Sequence, residues 1–443
     1  MSERTSIVVI GGGASGVILA AQLLRSSDPS LRVTLIEKRP EFGQGLAYST
    51  DLPVHLLNVS AFGMSALNDD PEHFLRWLRT RGLFPDEETP FYAPRSIYGE
   101  YLQALLSELA EQEPVRLRLV NAEAVGLKPT SSGIEVGLAN GASIIAHTAV
   151  LAAGHDSTPA PEQDYATRIG LSDLPGDSTS TIMILGTGLS MADAWLTLEH
   201  RGHQGNVIAL SRRGRMPMPH RPTKPIVLDS AEIPLGTELS FFMRWFRDLV
   251  DASKDAGGDW RDVIDGLRPF NQKIWQSWPE SAKRRFLEHT KAWWDIHRHR
   301  MPPAVHQRVS AAVASGQLTL VAGRLLNVTG ENGSRVVSVQ RRQSGGVEKF
   351  EVSQIYDCTG IVKDVSKGSL QVIRSLIDRG FARPDPLRIG LDVTTNCAVI
   401  DANGKASDRL LAVGPLTRGT FFEIDAVPDI RTQCAWLARQ LAA

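Results

Sequence analysis

Apolar runs that break at clustered glycines set the rhythm of this chain. Ile7-Val-Val-Ile10 is continuously apolar and stops at Gly11-Gly-Gly13, and beyond Gly16 a second apolar stretch runs to Leu24. A β-branched run without polar alternation reads as a strand buried on both faces, and the glycines after it as a tight turn into a closely packed helix. Val33-Thr-Leu-Ile36 makes the next strand and ends at Glu37. The succession returns at Thr181-Ile-Met-Ile-Leu185, Gly186-Thr-Gly188, a helix through Trp195 to His200, and a strand over 206–210 that runs into Ser211-Arg-Arg213. Strand, turn, helix and strand in this order build a parallel sheet.

After each unit the period falls to two. Strands are predicted over 115–120, 133–138, 143–146 and 149–153, with a turn at Asn140-Gly141 and an end at Gly154. Their counterparts lie over 317–322, 335–341, 348–352 and 354–358, with a turn at Ser344-Gly-Gly346 and an end at Gly360. Ala152-Ala-Gly154 and Cys358-Thr-Gly360 mark equivalent points of an internal repeat. Helices are predicted over 70–79, with Asp70 as N-cap and Pro71 at the first helical position, and over 97–109. The glycine-rich stretches 42–48 and 53–65 read as loops, the places where binding residues gather.

Between 216 and 315 the pattern is different. A proline-rich lead, Met216-Pro-Met-Pro-His-Arg-Pro222, precedes helical spacing over 241–249 and 281–289, and tryptophans stand at Trp245, Trp260, Trp275, Trp278, Trp293 and Trp294. This reads as a helical insertion, a substrate or lid region whose aromatics mostly pack. The chain closes with a strand over 410–413 that enters a turn at Gly414, then a helix over 428–441 with Asp429 near its start. The expected architecture is α/β, with two Rossmann-like dinucleotide-binding domains and a helical insertion. The first domain is expected over 1–175 and 350–443, the second over 176–215 and 316–349, and the insertion over 216–315.

Composition narrows the class. At 443 residues the chain exceeds one ordinary core, and a net charge of −1 with 22% charged residues argues against nucleic acid and acidic membrane surfaces as partners. The apolar stretch 7–24 is interrupted by its glycines, so no membrane span or targeting segment is expected. Cys358, Cys397 and Cys434 form no Cys-x-x-Cys pair, which points to a reducing cytoplasm. His297, His299 and His306 are interleaved with Arg298 and Arg300, and no metal site is expected there.

The glycine turns carry the candidate chemistry. Gly11 permits the turn, Gly13 the approach of a pyrophosphate and Gly16 the close packing of the helix, while amides at the helix start hold phosphate. Glu37, 21 residues after Gly16, stands where an acid meets a ribose 2′-hydroxyl. In the second unit Met191 takes the third glycine position, so that helix packs less closely. Arg212 and Arg213 replace the acid, and guanidinium groups there suit a 2′-phosphate, which selects NADPH over NADH. A solvated basic turn is the plain alternative for the arginine pair.

Together these residues resemble the two-dinucleotide-domain flavoproteins, and most closely a bacterial group of FAD/NAD(P)-binding proteins, over nearly the whole chain. The resemblance rests on Gly11-x-Gly-x-x-Gly16, Phe42-Gly-x-Gly-Leu-Ala-Tyr48, His55-Leu-Leu-Asn-Val59, Asp70-Pro-Glu-His-Phe-Leu-x-Trp77, Gly186-Thr-Gly188, Ser211-Arg-Arg-Gly214, Trp294-Asp-Ile-His-Arg-His-Arg300, Asp357-Cys-Thr-Gly360 and Gly414-Pro-Leu-Thr-Arg-Gly-Thr-Phe421. It implies FAD on the first turn and NADPH on the second. The candidate cofactor contacts are Gly11, Gly13, Ala14, Ser15, Gly16, Glu37, Lys38, Gly45, Leu46, Ala47, Asn58, Met64, Gly154, Gly186, Gly188, Leu189, Ser190, Ser211, Arg212, Arg213, Gly360, Gly414, Thr420 and Phe421. The turn at Gly414 is expected to face the polar edge of the flavin ring.

More loosely, the chain is similar to flavin-containing and N-hydroxylating monooxygenases, where a loop Asn beside a Met helps hold a flavin hydroperoxide; Asn58 and Met64 match that pair, and Asn58 is the candidate catalytic residue. The implied activity is an NADPH-using, FAD-dependent monooxygenase acting on a small molecule with dioxygen. An NADPH-dependent reductase or electron-transfer flavoprotein, and a non-catalytic nucleotide-binding module, stand as alternatives.

Overall fold

The computed structural model describes residues 5–26, 28–84, 90–155, 166, 177–331, 334–360 and 364–442. The expected boundary at 175/176 lies outside the described residues. Two six-stranded sheets organise the chain. The first runs in the order Ala398–Ile400, Ala406–Ala412, Thr148–Leu151, Ser6–Ile10, Arg32–Glu37 and Leu117–Asn121, parallel except at the pairing of Ala398–Ile400 with Ala406–Ala412. Ser6–Ile10 lies centrally, with Val8 opposite Thr34 on one side and Ala149 on the other, which is why its apolar run is unbroken.

The second sheet runs Val347–Val352, Ser334–Arg341, Leu318–Glu331, Val207–Ser211, Ile182–Leu185 and Gln354–Asp357. Its last four strands repeat the parallel order of the first sheet's final four. The two copies differ at their antiparallel part. In the first, Ala124–Pro129, Ile134–Leu138 and Ser143–Ala146 form a separate three-stranded sheet. In the second, Leu318–Glu331 runs straight from parallel pairing with Val207–Ser211 into antiparallel pairing with Ser334–Arg341, bending at an irregularity between Leu325 and Asn327. The return to the first domain expected at residue 350 therefore falls too early. Val347–Val352 pairs with Ser334–Arg341 and Gln354–Asp357 with Ile182–Leu185, so the strands of the second sheet continue to Asp357.

The two glycine turns are near copies. Gly11 and Gly186 have φ of 107° and 111°, in the region that favours glycine. Gly13 and Gly188 cap the helices Ala14–Leu24 and Leu189–His200 with φ/ψ of −74°/−167° and −85°/−162°. A Cβ on Gly16 would stand 1.9 Å from the Gly11 carbonyl oxygen, whereas Met191 at the equivalent place is fully buried against Ile182, Ile184 and Tyr356. The closing helix Val427–Leu441 packs on Ala14–Leu24, where the Cys434 thiol donates to the Ser15 carbonyl at 3.7 Å.

The helix expected to start at Asp70 begins later, as His73–Thr80. Asp70 does not cap it through its side chain; its carboxylate pairs instead with Arg76 of the first turn. The insertion contains Leu239–Asp255, Trp260–Leu267, Asn271–Ser277, Glu280–Arg285 and Lys291–Arg298, with a π-helical turn at Phe286–Thr290. Its core is aromatic, and it is joined to the C-terminal segment by Trp275 stacked on Phe422, ring centroids 4.5 Å apart. No helix among the described residues is long and apolar enough to cross a membrane.

The glycines separate packing from binding. Gly16→Ala forces backbone apart, and overpacking of this kind costs about 3 kcal/mol. We expect a fall in melting temperature of about 5 °C or more. Gly188 has an ordinary φ and no atom within 4 Å of a Cβ. Gly188→Ala should melt like the parent chain and lose only nucleotide affinity, checked by thermal scanning beside a nucleotide titration.

Candidate functional site

The first turn is built as a cradle. The Gly11 amide donates to Ile36 O and the Gly12 amide to Glu37 Oε2, at 2.9 and 2.7 Å. The first backbone bond inside the helix is Val17 N to Gly13 O, and no side chain caps the helix start, so the amides of Ala14 and Ser15 face the space above the turn. A Cβ on Gly13 would meet only Gly45 Cα, at 3.3 Å. Gly45 thus forms the opposite wall, and Arg39, which donates to the Gly45 carbonyl at 2.8 Å, holds that wall in place. Glu37 is buried, accepts also from the Arg39 amide at 2.9 Å, and keeps lone pairs for a further donor. Uncapped helix amides, a gap closed by two glycines and an acid at the next strand end fit a dinucleotide such as FAD.

Other candidates are scattered around this cradle. Lys38 lies against Glu123 at 3.4 Å, and Leu46 and Ala47 are exposed on the outer loop. Gly154 has a φ of 69° and open space beside it, and Met64 is buried in the core of the first domain. Gly414 does approach the turn, since a Cβ there would stand 2.6 Å from Ser15 Oγ. Its amide donates to Gln433 Oε1 at 2.7 Å, which fixes the turn beside the start of the helix Ala14–Leu24. Thr420 donates to the Val393 carbonyl at 2.9 Å, and Phe421 is buried.

Asn58 sits where three parts of the chain meet. Earlier in its loop, His55 bonds Thr50 Oγ1 at 2.8 Å and Thr197 Oγ1 at 2.9 Å, and Arg95 pairs with Asp193 at 2.9 Å. Thr197 and Asp193 belong to the helix of the second turn, so the motif His55-Leu-Leu-Asn58 spans the two domains. From the insertion side, His220 Nε2–H donates to the Asn58 carbonyl at 2.9 Å, and its ring lies 5.3 Å from that of Tyr92. Burial, reinforced by repulsion from Arg300, lowers His220 to about 4, so the ring is neutral at pH 7. Arg300 is buried, pairs with Asp265 through Nη2, and leaves Nε and Nη1 without partners among the described residues.

The second turn has the same open form. Gly188 and Ser190 are exposed, Leu189 is half-buried, and Gly360 is exposed with a φ of 103° and nothing near its Cβ position. Thr187 Oγ1 donates to Ser211 Oγ at 2.9 Å, and Ser211 Oγ accepts from the Gly214 amide at 2.9 Å, which shapes the arginine turn. Arg212 is exposed, and Arg213 reaches the His289 carbonyl at 3.1 Å. Two further arginines gather here: Arg215, two residues after Arg213, and Arg342, whose distance in the sequence hides it. The three histidines of the insertion separate: His297 meets Trp260 edge-on at 4.6 Å, His299 pairs with Asp295 at 3.7 Å and His306 lies 3.4 Å from Ser310 Oγ.

The insertion is fastened by one buried carboxylate. Glu423 has a φ of 63° and accepts from Asn271 Nδ2 at 2.8 Å, Arg298 Nε at 2.9 Å and Trp294 Nε1. Burial would raise this carboxyl, but Arg298 and His299 outweigh burial and hold it below the usual 4.5. Arg298 and Trp294 both lie in the Trp294 to Arg300 motif, whose role the sequence left unread. A cavity of 380 Å³ opens within the insertion, between Met243, Phe246, Trp260, Ile264, Trp293 and Trp294. The cysteines are chemically quiet. Burial pushes the thiols of Cys358 and Cys397 up to about 12, and Cys434 is fully buried and raised as well.

Comparisons agree with this build. Residues 8–156 match a family model described as FAD-NAD(P)-binding. No curated protein matches the chain significantly. The ornithine N-hydroxylase of Kutzneria sp. 744, in a structure with reduced FAD, NADP+ and L-ornithine, is 15% identical, covers 98% of each chain and superposes with a TM-score of 0.67. The L-lysine 6-monooxygenase of Pseudomonas syringae is 16% identical over 99% of each chain, with a TM-score of 0.65. The bacillithiol disulfide reductase of Bacillus cereus is 12% identical over 99% of this chain and 98% of its own, with a TM-score of 0.55. The chain has the fold of the two-dinucleotide-domain flavoproteins.

Glu423 gives this site a pH signature. Its folded value is depressed, so its contribution is fully present above the ordinary value near 4.5 and is lost as pH falls through the lower folded value. Glu423→Gln leaves Arg298 unpaired in a buried position, which costs about 3–5 kcal/mol. Thermal scans from pH 7 down to pH 4 should show a lower melting temperature for the variant at pH 7 and a gap from the parent that narrows below pH 4.5.

Proposed function

We propose that this protein is an FAD- and NADPH-dependent monooxygenase acting on a small molecule with dioxygen. The observation that carries this is the pairing of two copied cradles with different second-strand ends. The cradle at Gly11 to Gly16 ends at the acid Glu37, and the one at Gly186 to Ser190 ends at arginines. FAD, when bound, supplies the hydride acceptor and the activation of oxygen.

The chain's own residues bind, orient and exclude. The uncapped amides of Ala14 and Ser15, with Gly13 and Gly45 as walls, hold the pyrophosphate, and Glu37 takes the ribose hydroxyls. Gly186, Gly188, Leu189 and Ser190 do the same for the nicotinamide nucleotide, and Arg212 and Arg213 select its 2′-phosphate. Asn58 stands at the seam between the cradles, its carbonyl occupied by His220 and its side-chain amide free to orient a reacting group as a neutral donor. A neutral His220 adds no labile charge beside it. The insertion, pinned through Glu423, covers the seam and keeps water out.

Two findings favour oxygenation over thiol redox chemistry. Two of the thiols are held at about 12 and the third is raised too, and they lack the spacing of an exchange pair. The ornithine N-hydroxylase and the L-lysine 6-monooxygenase also superpose with higher TM-scores than the disulfide reductase, 0.67 and 0.65 against 0.55.

The deciding measurement is NADPH-driven oxygen uptake over a panel of amines, thioethers and ketones, with hydrogen peroxide followed in parallel. Substrate-dependent uptake exceeding peroxide release is the expected outcome. Stoichiometric peroxide with every compound would favour the reductase reading. Replacing Arg212 and Arg213 by Ala should raise the NADPH KM about tenfold or more, since each charge-assisted bond is worth about 1.5–3 kcal/mol. NADH turnover should hardly change. Asn58→Leu keeps the volume and removes the donor, so it should divert NADPH oxidation toward peroxide, by up to about a hundredfold in coupling if it faces developing charge.

A further inference from the structure

The arginine turn of the second domain does not stand alone. Arg215 places its guanidinium carbon 4.0 Å from the centre of the Trp293 ring, and Arg213 places its own 5.3 Å from the same ring. Trp293 belongs to Lys291–Arg298 of the insertion, and Arg213 also reaches back to the His289 carbonyl at 3.1 Å. On the other side, Arg342 Nη1 lies 3.4 Å from the Arg212 carbonyl oxygen. Arg342 comes from the hairpin between Ser334–Arg341 and Val347–Val352, and its amide bonds Ala322 O at 3.0 Å. Gly214, with a φ of 59°, presses on the same Ala322, so the two turns are held in fixed register.

The cluster thus joins three separate stretches of chain. None of Arg212, Arg213, Arg215 and Arg342 is in an ion pair with a carboxylate among the described residues. Like charges gathered without an acid repel one another, and Arg213 is lowered from its ordinary value first by burial and then by Arg342, Arg212 and Arg215. An arrangement of this kind is relieved by a dianion. The ring of Trp293 offsets part of the repulsion through its face and keeps the guanidinium groups of Arg213 and Arg215 beside one another.

We propose that Arg215, Arg342 and the insertion residue Trp293 complete the site for the adenosine 2′-phosphate, so that the helical insertion itself takes part in binding the nucleotide. This rests on the NADPH reading above and extends it beyond Arg212 and Arg213. Trp293 also forms part of the wall of the 380 Å³ cavity. Nucleotide at the arginines therefore fixes that wall, and the insertion reports whether the 2′-phosphate is present. Arg342 and Trp293 act as specificity-determining residues rather than catalytic ones.

The test uses the full-length protein and two small probes, adenosine 2′,5′-bisphosphate and 5′-AMP, in calorimetric titrations at fixed salt. The parent chain should bind the bisphosphate at least tenfold more tightly than 5′-AMP. Arg342→Ala, and Trp293→Leu, which keeps apolar bulk, should each weaken the bisphosphate at least fivefold and leave 5′-AMP unchanged. Hydrogen exchange over 286–298 should slow with the bisphosphate and not with 5′-AMP. If both variants bind the bisphosphate like the parent while Arg212→Ala weakens it, the phosphate rests on the turn alone and the proposal is overturned, with the NADPH reading intact. If exchange over 286–298 ignores the bisphosphate, participation of the insertion is overturned. A parent chain without preference for the 2′-phosphate would sink the NADPH reading itself, a result distinct from the other two.

Discussion

The closeness of two backbone contacts governs most of what this molecule does. A Cβ on Gly11 would stand 2.6 Å from the Ala152 carbonyl oxygen, and one on Gly186 would stand 2.3 Å from that of Cys358. Each first-turn glycine is thus pressed on the end of the neighbouring parallel strand, and no side chain is admitted. The turn must then swing out with positive φ, which aims the following helix start at open space without a side-chain cap. Binding capacity is a by-product of a packing restriction. It also explains why Ala152-Ala-Gly154 and Cys358-Thr-Gly360 stand at equivalent points of the internal repeat, since Ala152 and Cys358 form the surface that each turn touches.

From that restriction the rest of the architecture follows in layers. Two cradles of one shape must be joined, and the joint is made by His55 and Arg95 reaching Thr197 and Asp193 on the second cradle's helix. The loop carrying Asn58 is therefore fixed from both domains, and His220 fixes it from the insertion as well. Positioning by three independent anchors suits the role proposed for Asn58, because an error of an ångström in placement is costly to rate. The insertion obtains its own fixed position from Glu423, an acid whose buried charge is neutralised by Arg298 and by donors from Asn271 and Trp294.

Local signals made the skeleton legible in the sequence. Unbroken apolar runs before glycines marked Ser6–Ile10 and Ile182–Leu185, and alternation marked the antiparallel strands of both copies. Long-range pairing was not legible. Residue 350 looked like the start of a return, yet hairpin pairing keeps Val347–Val352 in the second sheet. The bond from the Gly414 amide to Gln433, 19 residues later, carries no local signal either. The arginines at 212 and 213 were visible as a pair, whereas Arg342, 130 residues away from Arg212, was not. Glu423 carried no signature at all, because a buried acid is recognised by its partners and its partners lie over 100 residues upstream.

The split of the first sheet has a consequence for how the chain is made. Strands Ile182–Leu185 to Gln354–Asp357 form one continuous span, so the second sheet has all its strands by the time Asp357 leaves the ribosome. The first sheet, although Ser6–Ile10 precedes all of these strands, lacks Ala406–Ala412 beside Thr148–Leu151 until residue 412 has been made. The insertion waits longer still, with Arg298 and Trp294 unmatched until Glu423 is present. Domains fold as units during translation, and exposed strand edges are hazardous while they wait. The second sheet therefore has all its strands before the first, although Ser6–Ile10 precedes every one of them in the chain.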